Sequence, residues 1–140
     1  MLFMLDTDMC IYTIRNRPAQ VIQRVKLFKP NDLVISAVTV CELEYGAANS
    51  SIPARNRQTL TKFLAPFEIR PFDENAAAHY GEIRAHLKRI GRPIGAMDLL
   101  IAAHARSLSL TLVTNNIKEF DRVPGLRMEN WTSICPPQHS

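Results

Sequence analysis

The segment LFMLDTDMCIYTI, residues 2–14, joins an apolar run to a helical pattern through two aspartates. Leu2–Leu5 is short and uninterrupted, which is typical of a strand that is buried on both faces. Asp6 ends this run, and Asp8–Ile14 has the spacing of a short helix. A buried strand that passes directly into a helix predicts the first unit of an α/β domain.

The same alternation continues along the rest of the chain. Further strands are predicted at Leu33–Ile35, Glu68–Phe72, Leu110–Val113 and Arg127–Glu129. Further helices are predicted from Pro18, over Val38–Ala48, from Pro53, over Glu74–Ile90 and over Met97–Ser107. This order predicts one α/β domain with a mainly parallel sheet of four to five strands, flanked by helices on both faces. We expect the domain to span residues 1–132 and a frayed tail to follow at 133–140.

Composition excludes several classes of protein. The 140 residues are 46% hydrophobic and 21% charged, which is the balance of a globular domain rather than a disordered chain. No apolar run approaches the roughly 20 residues that span a bilayer, and Asp6 interrupts MLFML too early for a signal peptide. Three cysteines without CxxC spacing suggest neither a disulfide framework nor a zinc site. We therefore expect a cytoplasmic protein, and its net charge of +4 weakly favours an anionic partner.

Oxygen-bearing side chains stand beside the predicted strands, where α/β sheets bind ligands. They are Asp6, Glu42, Asp98 and Asn116. Carboxylates gathered at one edge of a sheet repel each other and normally need a cation, and hard oxygen ligands suit Mg²⁺ or Mn²⁺. Each residue also has a simpler interpretation: a helix cap, an exposed helix edge, a first-turn acid or a turn amide.

Four motifs carry a resemblance to a known family. They are Leu5-Asp6-Thr7-Asp8, Ser36-x-x-Thr39-x-x-Glu42-Leu43-x-x-Gly46, Gly95-x-x-Asp98-x-x-Ile101-Ala102 and Val113-Thr114-x-Asn116-x-x-x-Phe120. In this order and spacing they resemble the PIN-domain ribonucleases, and specifically the VapC-type toxins of bacterial toxin–antitoxin pairs. The resemblance extends from residue 2 to about residue 131.

The resemblance implies a Mg²⁺-dependent endoribonuclease that cleaves structured RNA, such as a transfer RNA, by a metal-activated water. Its acids correspond here to Asp6, Glu42 and Asp98. Asp6 and Asp98 would be the main metal ligands. Glu42 would either assist metal binding or position the water.

Other residues near these motifs are expected to support the site. Asn116 stands where many relatives have a further Asp, so it is a candidate metal ligand, and Glu119 is a plausible substitute acid one turn later. Asp8 stands where Asn is more usual, as either a ligand or a cap. The Thr114 hydroxyl would hold an acid or a water.

Two basic clusters suit a phosphate backbone. The first comprises Arg15, Arg17, Arg24, Lys26 and Lys29, and the second comprises Arg84, Lys88, Arg89 and Arg92. The candidate RNA contacts are Arg15, Arg17, Arg24, Arg89 and Arg92. Any single Lys or Arg in these clusters can also be explained as part of a solvated helix face.

The family also implies partners. A VapC-type toxin is held inactive by a VapB-type antitoxin, forms a homodimer and joins larger assemblies. The resemblance implies no association with a membrane. Apolar helix surfaces near residues 10–14 and 40–48 are candidates for the antitoxin groove, although such stripes more often belong to a core.

Two alternatives remain open at this point. Asp6-Thr7-Asp8 and Leu112-Val113-Thr114-Asn115 also resemble motifs of haloacid-dehalogenase-like phosphatases, but no distal acidic pair follows. The other alternative is a PIN module that binds RNA or an antitoxin without catalysis.

Overall fold

The computed structural model describes residues 1–132. Its strands are β1 (Phe3–Leu5), β2 (Leu33–Ser36), β3 (Glu68–Arg70), β4 (Thr111–Val113) and β5 (Met128–Glu129). Its α-helices are α1 (Thr7–Arg15), α2 (Ala19–Lys26), α3 (Ala37–Ala48), α4 (Pro53–Leu64), α5 (Glu74–Arg89), α6 (Ala96–Ser107) and α7 (Ile117–Phe120). A single 3-10 turn at Pro30–Asp32 leads into β2.

All five strands are parallel and form one sheet in the order β3-β2-β1-β4-β5. The chain leaves β1 toward β2 on one side and later returns to β4 on the other. The strand order therefore switches between β1 and β4, and the carboxyl ends at such a switch point border a crevice. Because Leu5 pairs with Val113, the next residues, Asp6 and Thr114, emerge side by side at this crevice.

Each face of the sheet is buried against helices, as parallel strands require. Met4 and its neighbours on one face pack against α5 and α6, in a core that includes Ile83 and Ile101. Leu5 and its neighbours on the other face pack against α1, α2 and α4, in a core that includes Trp131. Successive strand residues point to opposite faces, so two adjacent residues belong to two separate cores.

A buried polar contact ties α6 to the start of α3. His104 of α6 is 1% exposed, and its Nδ1 lies 2.8 Å from Ser36 Oγ. Ser36 is the N-cap of α3 and its Oγ accepts a hydrogen bond from the Val38 N–H at 3.0 Å. Burial lowers the pKa of His104, so the ring is neutral and serves as a structural link between the helices. These contacts identify His104 as a buried structural residue.

The prediction of a mainly parallel sheet flanked by helices is confirmed, with four of the five strands shorter than expected. The third strand ends at Arg70 rather than Phe72. The four-residue helix α7 was not predicted, because a single turn has too few residues to show a helical period. Cys10 is buried and Cys41 is exposed, whereas Cys135 and the predicted tail at 133–140 lie outside the described residues. Among residues 1–132, no helix combines the length and apolarity needed to cross a membrane.

Candidate active site

Asp6 lies at the switch point, at the junction of β1 and α1. It is 6% exposed and caps α1, since its Oδ1 accepts a hydrogen bond from the Met9 N–H at 2.9 Å. Burial raises the pKa of Asp6 to about 6, against a hydrogen bond from the buried Thr114 hydroxyl that lowers it. The nearby charges of Asp8 and Glu42 raise it further. Thr114 therefore counteracts part of the effect of burial on Asp6.

Glu42 is brought to Asp6 by α3. The Thr7 hydroxyl donates a short hydrogen bond to Glu42 Oε1, and Thr7 Oγ1 also lies 3.4 Å from Oγ1 of the buried Thr39. Thr7 thus fixes the orientation of the Glu42 carboxylate from the first turn of α1. We did not single out Thr7 from the sequence, although a hydroxyl directly after the first acid is the signal that could have revealed it.

Asp98 lies in the first turn of α6 and shares its surroundings with Glu119 of α7. A Cβ placed on Gly95 would lie 3.6 Å from Glu119 Oε2 and 3.8 Å from Asp98 Oδ2, so both carboxylates converge on one point. The Gly95 N–H donates to Glu119 Oε2 at 3.1 Å. Burial raises the pKa of Asp98 to about 7, and the hydrogen bond with Glu119 raises it as well.

The acid beside Asp98 is therefore Glu119, and Asn116 acts on Glu119. Asn116 Nδ2 donates to Glu119 Oε1 at 3.0 Å, and the Asn116 N–H donates to Thr114 Oγ1 at 2.9 Å. Partial burial would raise the pKa of Glu119, but hydrogen bonds from Asp98, Gly95 and Asn116 together lower it. The pKa of Asp98 is thus raised and that of Glu119 lowered, so Glu119 is the more readily ionised of the two acids.

The donor set suits a hard divalent cation. The charges of Asp6 and Glu42 both raise the pKa of Asp98, so carboxylates from three separate elements repel each other across the crevice. Within residues 1–132, no three acidic, imidazole or thiol groups form a ready-made cage for a metal. Mg²⁺ does not need such a cage, since it keeps several waters and binds through one or two carboxylates. The residues present therefore fit Mg²⁺.

The predicted accessory residues are dispersed. Asp8 is exposed in the first turn of α1. Arg24 forms an ion pair with Glu129 at 3.1 Å and lies 4.9 Å from the centre of the Trp131 ring, so its charge is already matched. Arg15 lines a groove beside Glu42. Arg17, Arg89 and Arg92 are exposed, without a carboxylate partner in the part of the chain that the structure describes.

Comparison with known proteins decides the family. The PIN domain family model matches residues 3–126, nearly the whole described chain. The chain belongs to the PIN-domain family. Similar proteins include the tRNA(fMet)-specific endonuclease VapC of Shigella flexneri, which is 49% identical over 93% of this chain and 98% of the relative. The VapC of the same name from Salmonella typhimurium is 46% identical over 92% of this chain and 97% of the relative.

Solved structures agree with this membership of the PIN family. DNA-bound VapBC from Salmonella typhimurium matches with a TM-score of 0.88 and 46% identity, over 94% of this chain and 99% of that chain. VapBC2 from Rickettsia felis, bound to a promoter DNA fragment, matches with a TM-score of 0.88 and 42% identity over the same shares. The predicted resemblance to VapC-type PIN ribonucleases is confirmed. The haloacid-dehalogenase-like alternative is excluded, because that is a different family.

Proposed function

We propose that this PIN domain is the toxin of a type II toxin–antitoxin pair and a Mg²⁺-dependent endoribonuclease that cleaves structured RNA. The observation that carries the proposal is the convergence of Asp6, Glu42 and Asp98 at the switch point of the sheet. Two relatives at 49% and 46% identity are named as tRNA(fMet)-specific endonucleases, which makes initiator transfer RNA the first substrate to test.

Asp6 and Asp98 would hold the ion, and Mn²⁺ has a similar preference for oxygen ligands. A bound ion supplies Lewis acidity toward water and toward the phosphodiester oxygens. Asp6 is kept in place by its cap to Met9 and by Thr114. Glu42, oriented by Thr7, has a second carboxylate oxygen available to orient water or assist the ion. The Glu119 carboxylate would accept a proton from Asp98, with which it forms a hydrogen bond.

A groove of about 350 Å³ beside this site suits the antitoxin. It runs between α1, α3 and α4, and its apolar lining includes Ile11, Ile14, Leu43, Ala47 and Leu60. Arg15 and Glu42 add one charge of each sign, so the groove fits an amphipathic segment that also covers a catalytic acid. The groove overlaps the surfaces predicted at 10–14 and 40–48. The solved relatives are VapBC complexes, and we expect this chain to form a homodimer within a comparable assembly in the cytoplasm.

Cleavage of initiator transfer RNA by the wild type, compared with Asp98→Asn, tests the proposal. We expect defined 5′ ends with Mg²⁺, none with EDTA, and at least about 100-fold slower cleavage by the variant. Asp32→Asn is the matched control, because Asp32 directly precedes β2. It therefore lies at the amino-terminal end of the strands, away from the carboxylates at their carboxyl ends. If the wild type does not cleave, or if Asp98→Asn and EDTA leave the pattern unchanged, the chain is a non-catalytic PIN module or the site is misassigned.

A further inference from the structure

A second groove lies between α5 and α6. Its volume is about 420 Å³, and it is lined by Tyr80, Arg84, Leu87 and Lys88 of α5, by Pro93 and Ile94, and by Ala96 and Leu99 of α6. Ala96 and Leu99 flank Asp98 along the helix, so this groove begins directly beside the candidate active site.

The residues that line this α5–α6 groove include two bases, Arg84 and Lys88, and no acid. From Ile83 to Met97 the chain carries four bases, Arg84, Lys88, Arg89 and Arg92, and no acid. In residues 1–132, none of these four forms an ion pair with a carboxylate, whereas Arg24, Arg57, Arg70 and Arg106 do. Unpaired cations on one flank of an acidic site create a local field that attracts a polyanion toward it.

The shape of the groove is also suited to a nucleotide. Leu87, Ile94 and Leu99 provide an apolar floor beneath the cations. Arg84 is already oriented by two contacts with Tyr80. Its Nη1 donates to the Tyr80 hydroxyl at 2.9 Å, and its guanidinium lies 5.9 Å from the centre of the Tyr80 ring. A guanidinium that is already ordered loses less conformational entropy when it binds a phosphate. Single-stranded RNA presents an anionic backbone and apolar base faces together.

We propose that the α5–α6 groove is an RNA subsite, in which a nucleotide next to the cleaved bond lies on the apolar floor while Arg84 and Lys88 contact its phosphates. This inference rests on the proposed ribonuclease function. It adds two contacts, Arg84 and Lys88, that were not among the candidate RNA contacts from the sequence.

The test compares two charge-matched double variants. Arg84→Gln/Lys88→Gln removes two cations from the groove and keeps long side chains that favour helix. Arg55→Gln/Lys62→Gln removes two exposed cations of α4 that form no ion pair within residues 1–132. Affinity is measured by fluorescence anisotropy of labelled initiator transfer RNA in EDTA, over a series of salt concentrations. Cleavage in Mg²⁺ and sedimentation are measured in parallel.

We expect the groove variant to bind the RNA about tenfold more weakly, with a salt slope reduced by about 2, while the α4 variant changes by less than about twofold. KM should rise and kcat should stay within about twofold. An equal loss in both variants overturns the inference, and so does altered sedimentation of the groove variant, which would indicate an interface between protein copies. If the wild type binds the RNA more tightly than the groove variant but does not cleave it, the proposed ribonuclease function fails, and the groove remains an RNA-binding site without a cleaved bond beside it.

Discussion

The two sides of the carboxylate crevice are held in different ways. On the β1 side, Asp6 and Glu42 receive hydrogen bonds from hydroxyls, those of Thr114 and Thr7. On the α6 side, Asp98 contacts another acid, Glu119. A hydroxyl donor can satisfy an ionised carboxylate, but a second carboxylate cannot unless a proton or a cation lies between them. The α6 side is therefore the half of the site that depends more strongly on metal and on pH.

The largest expected effect comes from removing the main candidate metal ligand on each side of the crevice. It tests whether the two sides act as one unit in cleavage. Asp6→Asn and Asp98→Asn should each slow single-turnover cleavage of initiator transfer RNA by about 10³-fold, because each removes a candidate ligand. The double variant should lose little more, since groups that act together are non-additive. Multiplied losses in the double variant would show that the two sides work independently.

A smaller effect is expected from the groups that orient these acids. Glu119→Gln should slow cleavage by about 100-fold and Thr7→Val by about 10-fold, in the range typical of residues that position metal ligands. The difference follows from the pairing, since Gln cannot take the proton from Asp98, whereas Thr7→Val keeps the Glu42 side chain and removes only one hydrogen bond to it.

Two matched variants control this comparison. Thr7→Ser keeps the hydroxyl and should restore the rate. Thr13→Val, on the same helix, removes a hydroxyl that only donates to the Met9 carbonyl, and should have no effect on cleavage. A loss with Thr13→Val equal to that with Thr7→Val would assign the effect to α1 rather than to Glu42.

The smallest effect concerns the stability of the metal-free protein. The folded-state pKa values of Asp6 and Asp98, about 6 and about 7, lie above their ordinary value of 3.8. The folded chain therefore binds these protons more tightly than the unfolded chain does. Their stabilising contribution is complete below about pH 4 and is lost as the pH rises through 6 to 7.

Thermal unfolding measures this contribution. In EDTA at pH 8, Asp98→Asn should raise Tm by about 4 °C, a change allowing for solvent screening at this half-buried group. At pH 5 the same substitution should have little effect. Mg²⁺ should stabilise the wild type more at pH 8 than at pH 5, because ion and proton compete for the same oxygens. Equal behaviour at both pH values would contradict the raised pKa of Asp98.

Parts of the site were open to prediction because they follow directly from position in the chain. Asp6 comes directly after the first strand and Asp98 opens an apolar helix. Both were therefore candidate site residues, because α/β sheets bind ligands beyond the carboxyl ends of their strands. The contact between Glu119 and Asp98 was not predicted, because it depends on the one-turn helix α7 and on the approach of Gly95 across 24 residues of sequence. The ion pair between Arg24 and Glu129 was not predicted either, because the two residues are 105 positions apart in the sequence and meet only in the folded chain.

The sequence by itself determined the alternation of strands and helices, the parallel sheet and the acids at strand ends, because these features arise from local periodicity and residue chemistry. Only the tertiary structure decided which acid meets which. The strand order places β1 beside β4, α7 carries Glu119 to Asp98, and α3 carries Glu42 to Thr7. Electrostatic coupling acts over a few ångströms, and those distances exist only after helices distant in sequence pack on one sheet.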